Sequence, residues 1–208
     1  MLLITKYFPL LSDSQRVKIQ LLYSIYESWN SKINLISRKD FENIYLHHVL
    51  HSLAIAKFIQ FRDNTTILDV GTGGGFPGIP LAILFPNCKF HLIDSIGKKI
   101  KVVEDVKNQL RLNNVTSEQI RVEKLNAKYD FIVSRAVTTF PDFVKITRKN
   151  IKQISFNIQK NGIIYLKGGN LEHELEPYKN VEIINVKDFF EEDFFETKKI
   201  VYLTTNSY

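Results

Sequence analysis

The sequence predicts an α/β fold built on a doubly wound, largely parallel β-sheet. Two observations lead to this prediction: a glycine-rich stretch follows an apolar strand, and strand-like and helix-like segments alternate after it. The chain has 208 residues, of which 44% are hydrophobic, so it can bury the core of one domain with a helical annex. We expect an N-terminal helical annex over residues 1–63 and one compact domain over residues 64–208.

The glycine-rich stretch lies at residues 66–80. Its first part, Thr66–Val70, is apolar and β-branched, as one buried strand requires. Five glycines follow between positions 71 and 78, which excludes a helix interior because each glycine costs about 1 kcal/mol there. We therefore predict a tight turn that lets a ligand approach the backbone, followed by a buried helix over 79–85. Strand, glycine turn and helix in this order are typical of a nucleotide site.

Two acids accompany this turn. Asp69 lies two residues before Gly71, and an acid there followed by Gly-x-Gly-x-Gly resembles the cofactor loop of S-adenosylmethionine-dependent methyltransferases. We expect Asp69 to hold the cofactor's ammonium group directly or through water, and Gly73 to lie against the cofactor. Asp94 ends the second predicted strand, Lys89–Asp94, where a doubly wound fold places the carboxylate that accepts from ribose hydroxyls.

Composition limits the class of protein. The net charge of +6 favours a polyanionic partner, and the single cysteine, Cys88, excludes an internal disulfide and suits a reducing compartment. No apolar run approaches the ~20 residues of a membrane span, and the first ten residues have no signal-peptide pattern. We expect a monomeric cytoplasmic protein without membrane contact.

The annex is predicted to contain two helices. Ser12 and Gln15 fit a capping box, and the helix that follows shows a core-facing stripe. The stripe consists of Val17, Leu21, Leu22, Ile25, Tyr26 and Trp29. A second helix near residues 40–60 is expected to point His48 and Ser52 toward the glycine turn. His47, His48 and His51 do not predict a metal site, because the zinc-protease pattern needs a glutamate where His48 stands.

Alternation continues after the second strand. The predicted helices lie near 98–113 and 141–150, with a part of 151–159. The predicted strands are 120–123, 129–133 and 162–167, followed by an antiparallel pair at 181–189 and 198–204. Ligands bind at the carboxyl ends of parallel strands, so one crevice is expected to collect the residues at those ends. These are Gly71, Asp94, Glu123, Arg135 and Lys167.

Several segments together resemble one family, the bacterial small-subunit ribosomal RNA guanine-N7 methyltransferases, once called glucose-inhibited division protein B. The segments are Asn34-Leu35-Ile36, 48–53, 69–80, 94–99, 133–136 and 166–168. The stretch Gly-Phe-Pro-Gly-Ile-Pro at 75–80 is the most specific, since most methyltransferases lack it. One departure is present: the family commonly has Arg-His-x-x-Asp-Ser, whereas this chain has His47 and His51 at the arginine and aspartate positions.

The resemblance implies a seven-stranded, Rossmann-like class I methyltransferase fold, S-adenosylmethionine as cofactor, and one guanine of 16S rRNA in the small ribosomal subunit as target. It further implies that Gly71 and Phe76 contact the cofactor and that Val122 and Glu123 flank its adenine. Arg135 would also line the cofactor site, and we take it both as a cofactor-binding residue and as the candidate catalytic residue. We assign His48, Ser52, Lys98 and Lys167 to substrate binding.

The chemistry agrees with this assignment. Guanine N7 has no proton to lose, so its methylation needs alignment and no general base. Amino-group methyltransferases usually carry Asn/Asp-Pro-Pro-aromatic after the fourth strand, where this chain has Ser134-Arg135-Ala136-Val137. Methylation at pyrimidine carbon 5 needs a cysteine nucleophile, and Cys88 lies before the second strand, away from the crevice.

Three alternatives stay open from the sequence. A methyltransferase that acts on a small molecule or a protein would show no salt-dependent binding of RNA. A dehydrogenase would use Gly73–Gly78 for a nicotinamide cofactor, although no Tyr-x-x-x-Lys pair is present. A non-enzymatic RNA-binding module would have no affinity for the cofactor.

Overall fold

The computed structural model describes residues 1–33 and 35–204, apart from the side chains of Arg38 and Lys39. This part of the chain contains one seven-stranded sheet. Its strands are β1 (Thr66–Val70), β2 (Lys89–Asp94), β3 (Val115–Gln119), β4 (Phe131–Arg135), β5 (Gly162–Gly168), β6 (Val181–Asn185) and β7 (Lys198–Thr204). The order is β3-β2-β1-β4-β5-β7-β6. Neighbouring strands from β3 to β5 are parallel, and β7 is antiparallel to both β5 and β6, which confirms the predicted doubly wound sheet and its closing pair.

Helices cover both faces of the sheet. They are α1 (Leu2–Tyr7), α2 (Asp13–Asn30), α3 (Arg38–Phe41), α4 (His51–Phe58), α5 (Gly78–Leu84), α6 (Gly97–Gln109), α7 (Phe140–Thr147) and α8 (Glu172–Leu175). A π-helical segment, Ile44–Leu50, leads into α4. Short 3-10 turns lie at Val122–Lys124, Arg148–Asn150, Val186–Asp188 and Asp193–Phe195. None of the helices in 1–33 or 35–204 has the length and hydropathy that a membrane crossing requires.

The predicted capping box at the start of α2 is confirmed, but part of the predicted stripe is wrong. Gln15 N donates to Ser12 Oγ at 3.3 Å, and Ser12 N donates to Gln15 Oε1 at 2.9 Å. Val17 and Leu21 are 55% and 42% exposed. The side of α2 that packs against α5 and α6 is the one that carries Ile19, and successive α-helical positions turn by about 100°, so Val17 and Leu21 face away from it.

Three predicted boundaries also need correction. No strand lies at the predicted position 120–123, which leads into the 3-10 turn Val122–Lys124; the strand itself lies earlier, at Val115–Gln119. This edge strand is mostly polar, so hydrophobicity does not mark it; its pairing with β2 defines it. Residues 151–159 are irregular, not helical, because their backbone groups bond elsewhere, as when Lys152 N donates to Tyr129 O at 2.8 Å. β6 ends at Asn185, before the predicted end at 189.

The core forms two clusters, one on each face of the sheet. Ile67 and Leu92 enter the cluster that packs under α2, α4, α5 and α6, and their neighbours Leu68 and Ile93 enter the cluster under α7. The first cluster also contains Ile19 and other residues of the annex, so the core continues across the predicted boundary at residue 63. The division into 1–63 and 64–208 stays a prediction.

Candidate active site

A crevice of about 480 Å³ opens at the carboxyl ends of β1, β2 and β4, where the strand order reverses direction. Such a topological switch point is where open α/β sheets bind ligands. Most of the lining comes from the segments 70–74, 93–96, 120–123 and 135–137. Leu35, Ile36, His48, Phe76, Lys99 and Ile146 complete it.

The glycine turn forms one wall of the crevice and needs glycine for two different reasons. Gly71 has a φ of +67°, and a Cβ on it would lie 2.5 Å from Cγ2 of Val137. Gly73 has a φ of +61°, but a Cβ there would meet no protein atom within 4 Å. The backbone at Gly73 therefore borders open space inside the crevice, as the predicted close approach of a ligand requires.

Asp69 holds the glycine turn from behind. Its side chain is fully buried on the α5 side of the sheet, and Oδ2 accepts from Thr72 Oγ1 at 2.6 Å and from Gly78 N at 2.8 Å. A Cβ on Gly78 would lie 2.7 Å from that oxygen, so only glycine fits there. Burial raises the pKa of Asp69 to about 7, although the hydrogen bonds from Thr72 and Gly78 oppose the shift.

Asp69 does not line the crevice, and its Oδ2 is occupied by Thr72 and Gly78. The side chain thus supports the glycine turn from inside the protein. Its predicted contact with the cofactor's ammonium group, directly or through water, stays a prediction.

Asp94 lies at the crevice, as the sequence predicts. Its Oδ2 accepts from Gly73 N at 3.0 Å, and its Oδ1 accepts from Ile96 N at 2.9 Å. Lys99 Nζ lies 3.7 Å from Oδ2. A carboxylate oxygen can accept more than one hydrogen bond. Asp94 can therefore link the glycine turn to β2 and still accept from a ligand hydroxyl.

The opposite wall comes from the 3-10 turn Val122–Lys124. Val122 is buried beside the crevice and Glu123 is exposed at its edge. Lys149 Nζ donates to the carbonyl of Glu123 at 2.6 Å, which anchors this turn to the 3-10 turn that follows α7. Both residues line the crevice, although they follow β3 in a turn and do not end a strand.

Arg135 and His48 meet across the crevice floor. Arg135 Nη2 lies 2.9 Å from His48 Nδ1, Nη1 donates to the carbonyl of His47 at 3.1 Å, and the guanidinium lies 5.4 Å from the ring centre of Phe76. Burial lowers the pKa of Arg135 to about 10, and the negative charges of Asp69 and Asp40 oppose this shift. Burial, with the charge of Arg135, lowers the pKa of His48 to about 4, so His48 is neutral at pH 7.

Three of the four residues predicted to bind substrate do not line the crevice. Ser52 is fully buried and donates to the carbonyl of His48 at 2.6 Å, so it supports His48 from behind. Lys167 pairs with Glu174, which neutralises its charge. Lys98 is exposed in the first turn of α6, outside the crevice lining. Only His48 of this set lies at the crevice. For Lys167, the strand-end rule places the backbone but does not orient the long side chain.

The sequence analysis did not identify two residues that support the crevice, Tyr26 and Asp40. Tyr26 is fully buried and donates to the carbonyl of Gly74 at 2.6 Å, while its ring packs 4.9 Å from that of Phe76. Asp40 contacts both His47 and His48. No local signal identifies either, since Tyr26 is one apolar-stripe residue among several and Asp40 is an ordinary acid in the first turn of a helix.

His47 and His51, which stand at the two positions that depart from the family pattern, both contact neighbouring side chains. His47 contacts Asp40 through Nδ1 and stacks on Phe194, with ring centres 3.9 Å apart. His51 is buried against the edges of Phe194 and Phe195, and burial holds its pKa well below the usual value. Within the described part of the chain, no group of three or more His, Cys, Asp or Glu side chains is placed to hold a metal ion.

The sheet order, the glycine turn at the switch point and the acid that ends β2 define the class, an S-adenosylmethionine-dependent methyltransferase with a Rossmann-like fold. Two solved structures share this fold. A SAM-dependent methyltransferase from Aquifex aeolicus has a TM-score of 0.54 at 19% identity, with 73% of this chain and 87% of that chain covered. A SAM-dependent O-methyltransferase from Thermotoga maritima has a TM-score of 0.58 at 14% identity, with 79% and 69% covered.

The chain belongs to the rRNA small subunit methyltransferase G family (GidB), whose model matches residues 15–200. Relatives named "Ribosomal RNA small subunit methyltransferase G" come from Bacteroides thetaiotaomicron and Christiangramia forsetii. The first is 57% identical over 201 residues, which is 96% of this chain and 98% of the relative. The second is 56% identical over 201 residues, which is 97% and 95%. The resemblance seen in the sequence is confirmed, and S-adenosylmethionine is the cofactor.

Proposed function

We propose that this enzyme transfers the methyl group of S-adenosylmethionine to N7 of one guanine in the 16S RNA of the small ribosomal subunit. The match to the family model over residues 15–200, which include every crevice segment, supports this most directly. The net charge of +6 suits a polyanionic substrate. We further propose that the enzyme works as a monomer in the cytoplasm, where ribosomal subunits are found.

The crevice residues fit the cofactor. Gly71 and Gly73 would lie against its amino-acid end, Asp94 would accept from the ribose hydroxyls, and Val122 and Glu123 would border the adenine. The open space beside Gly73 supports this arrangement, because a side chain there would occupy it. The bound cofactor supplies a methyl group on a positively charged sulfur, which a nitrogen lone pair can attack.

The crevice is suited to alignment more than to proton transfer. His48 has both ring nitrogens engaged, with Arg135 and with Asp40, so it is not available as a general base. Guanine N7 needs none, and correct positioning alone can supply about 7–11 kcal/mol of a reaction barrier. Arg135 has five N–H donors, of which described residues take two, so others can donate to the guanine O6 and hold the base.

The position of the methyl group can be tested chemically. N7 methylation leaves a positive charge on the guanine imidazole ring, which opens that ring to borohydride and lets aniline cut the chain there. We expect 16S RNA from wild-type cells to show one strong break that disappears when the gene is deleted and returns when the wild-type protein is supplied. Primer extension maps the break.

Two outcomes would contradict the proposal in different ways. Identical breaks in both RNAs, with a methyl group still lost elsewhere by mass spectrometry, would exclude N7 and leave an RNA methyltransferase of other specificity. No loss of any RNA methyl group would favour a small molecule or a protein as substrate.

RNA binding is expected to be electrostatic and to depend on residues near the crevice. For single-stranded RNA the log–log salt slope changes by about 0.7 for each phosphate contact. Lys98→Gln, in the exposed first turn of α6, should reduce the slope by that amount in filter binding to rRNA fragments. Lys160→Gln, next to the amino end of β5 at the opposite edge of the sheet, is the matched control and should leave it unchanged. Equal slopes for both variants would show that Lys98 does not contact an RNA phosphate.

A further inference from the structure

The two carboxylate oxygens of Asp40 contact two adjacent histidines of the π-helical segment, His47 and His48. Oδ1 contacts Nδ1 of His47, and Oδ2 lies 2.7 Å from Nε2 of His48. Asp40 itself lies in α3, whose N-cap Ser37 accepts from Asp40 N at 3.2 Å. The backbone of Asp40 is therefore fixed at the start of α3, and the two histidine contacts orient its carboxylate.

The contact between Arg135 and His48 Nδ1 shows which ring nitrogen of His48 carries the proton. The guanidinium of Arg135 can only donate hydrogen bonds, and its Nη2 lies 2.9 Å from His48 Nδ1. Nδ1 must therefore be the unprotonated nitrogen, which places the single proton of the neutral ring on Nε2, where it donates to Asp40. The low pKa of His48 agrees with this neutral form.

Arg135 depends on this histidine for its position. Among the side chains that the structure describes, no carboxylate lies within 4.0 Å of the guanidinium nitrogens. Its hydrogen bonds within the described part of the chain go to the carbonyl of His47 and Nδ1 of His48, and the guanidinium also lies over the ring of Phe76. A rotation of the His48 ring would remove one of two hydrogen bonds from a largely buried cation.

We propose that Asp40 is a positioning residue for methyl transfer, because it fixes the orientation and tautomer of His48 and thereby holds the Arg135 guanidinium at the crevice. Asp40 does not touch the crevice itself; it acts through His48. The catalytic part of this inference rests on the proposed function, whereas the tautomer of His48 and its link to Arg135 do not.

Single-turnover kinetics with S-adenosylmethionine and small subunits from the deletion strain test the catalytic part. We expect Asp40→Ala to lower the methylation rate about tenfold, while calorimetric affinity for S-adenosylmethionine changes less than about twofold. Asp40→Asn should restore most of the rate, since an amide oxygen can still accept from His48 Nε2. Glu42→Ala, an exposed acid two residues away, is the matched control and should behave as wild type.

A double-mutant cycle separates positioning from general destabilisation. In an Arg135→Ala background, Asp40→Ala should lower the residual rate less than about twofold, because the group that it positions is already missing. His47→Ala, which removes the other contact of Asp40, should lower the rate less than Asp40→Ala does. An equal fall in both backgrounds, or a His47→Ala effect as large as that of Asp40→Ala, would overturn the proposal.

Nitrogen NMR of the imidazoles tests the structural part without any reaction. The chain has five histidines, so His48 can be assigned by comparison with His48→Gln. We expect the neutral ring with its proton on Nε2 at pH 7 in the wild-type protein and a mixture of tautomers in Asp40→Ala, where nothing accepts from Nε2. A protonated ring, or a proton on Nδ1, would overturn the link whether or not methylation is observed. If wild-type enzyme methylates no RNA while this pattern is present, the proposed function fails and the His48 link stands.

Discussion

Gly73→Asp is expected to weaken S-adenosylmethionine binding at least about 100-fold, which corresponds to about 2.8 kcal/mol. Gly73 lines the crevice, its N–H donates to Asp94 at 3.0 Å, and the space beside its Cα is empty of protein atoms. A carboxylate there would occupy that space and repel the Asp94 carboxylate. The φ of +61° is one that aspartate tolerates better than most residues, so the variant should fold.

Gly169→Asp is the matched control for this experiment. Gly169 also has a positive φ, +82°, and a Cβ on it would meet no protein atom within 4 Å, but it does not line the crevice. It therefore tests the backbone cost of aspartate without the steric effect on a ligand. We expect calorimetry to give wild-type affinity for Gly169→Asp. Wild-type affinity in a folded Gly73→Asp protein would show that the cofactor does not lie against the glycine turn.

The second large effect is expected for Arg135→Ala, which should lower the methylation rate on the order of 100-fold or more. The substitution removes a guanidinium that lines the crevice and leaves His48 Nδ1 without its partner. Arg135→Lys should also be slow, because an ammonium keeps the charge but not the planar fork of donors. Affinity for S-adenosylmethionine, measured separately, should change much less than the rate.

Arg111→Ala provides the control for loss of a positive charge. Arg111 is exposed after the end of α6 and does not line the crevice, so its removal changes the net charge by the same amount at a distance. We expect wild-type methylation for this variant in the borohydride and aniline assay. A wild-type rate for Arg135→Ala would mean that the base is held by other groups.

The sequence by itself determines the features that depend on local chemistry. The capping box of α2, both ends of β2 and the glycine turn agree with the structure, because a cap, a strand and a left-handed φ each depend on a few consecutive residues. Asp94 follows from the same logic, since the end of a parallel strand places the last side chain at the switch point. The family could be recognised because its motifs are equally local.

The tertiary structure alone decided which side chains reach the crevice. The sequence predicts a cofactor contact for Asp69, whereas the structure places its side chain outside the crevice lining, with Oδ2 accepting from Thr72 and from Gly78 N. The sequence predicts that Val17 and Leu21 face the core, but both are exposed, because the position of α5 and α6 decides which side of α2 is buried.

The link from Asp40 through His48 to Arg135 shows the same division most clearly. It joins residues that lie 8 and 87 positions apart in the chain. No local pattern encodes it, because a hydrogen bond depends on where two side chains meet after the sheet and helices have packed.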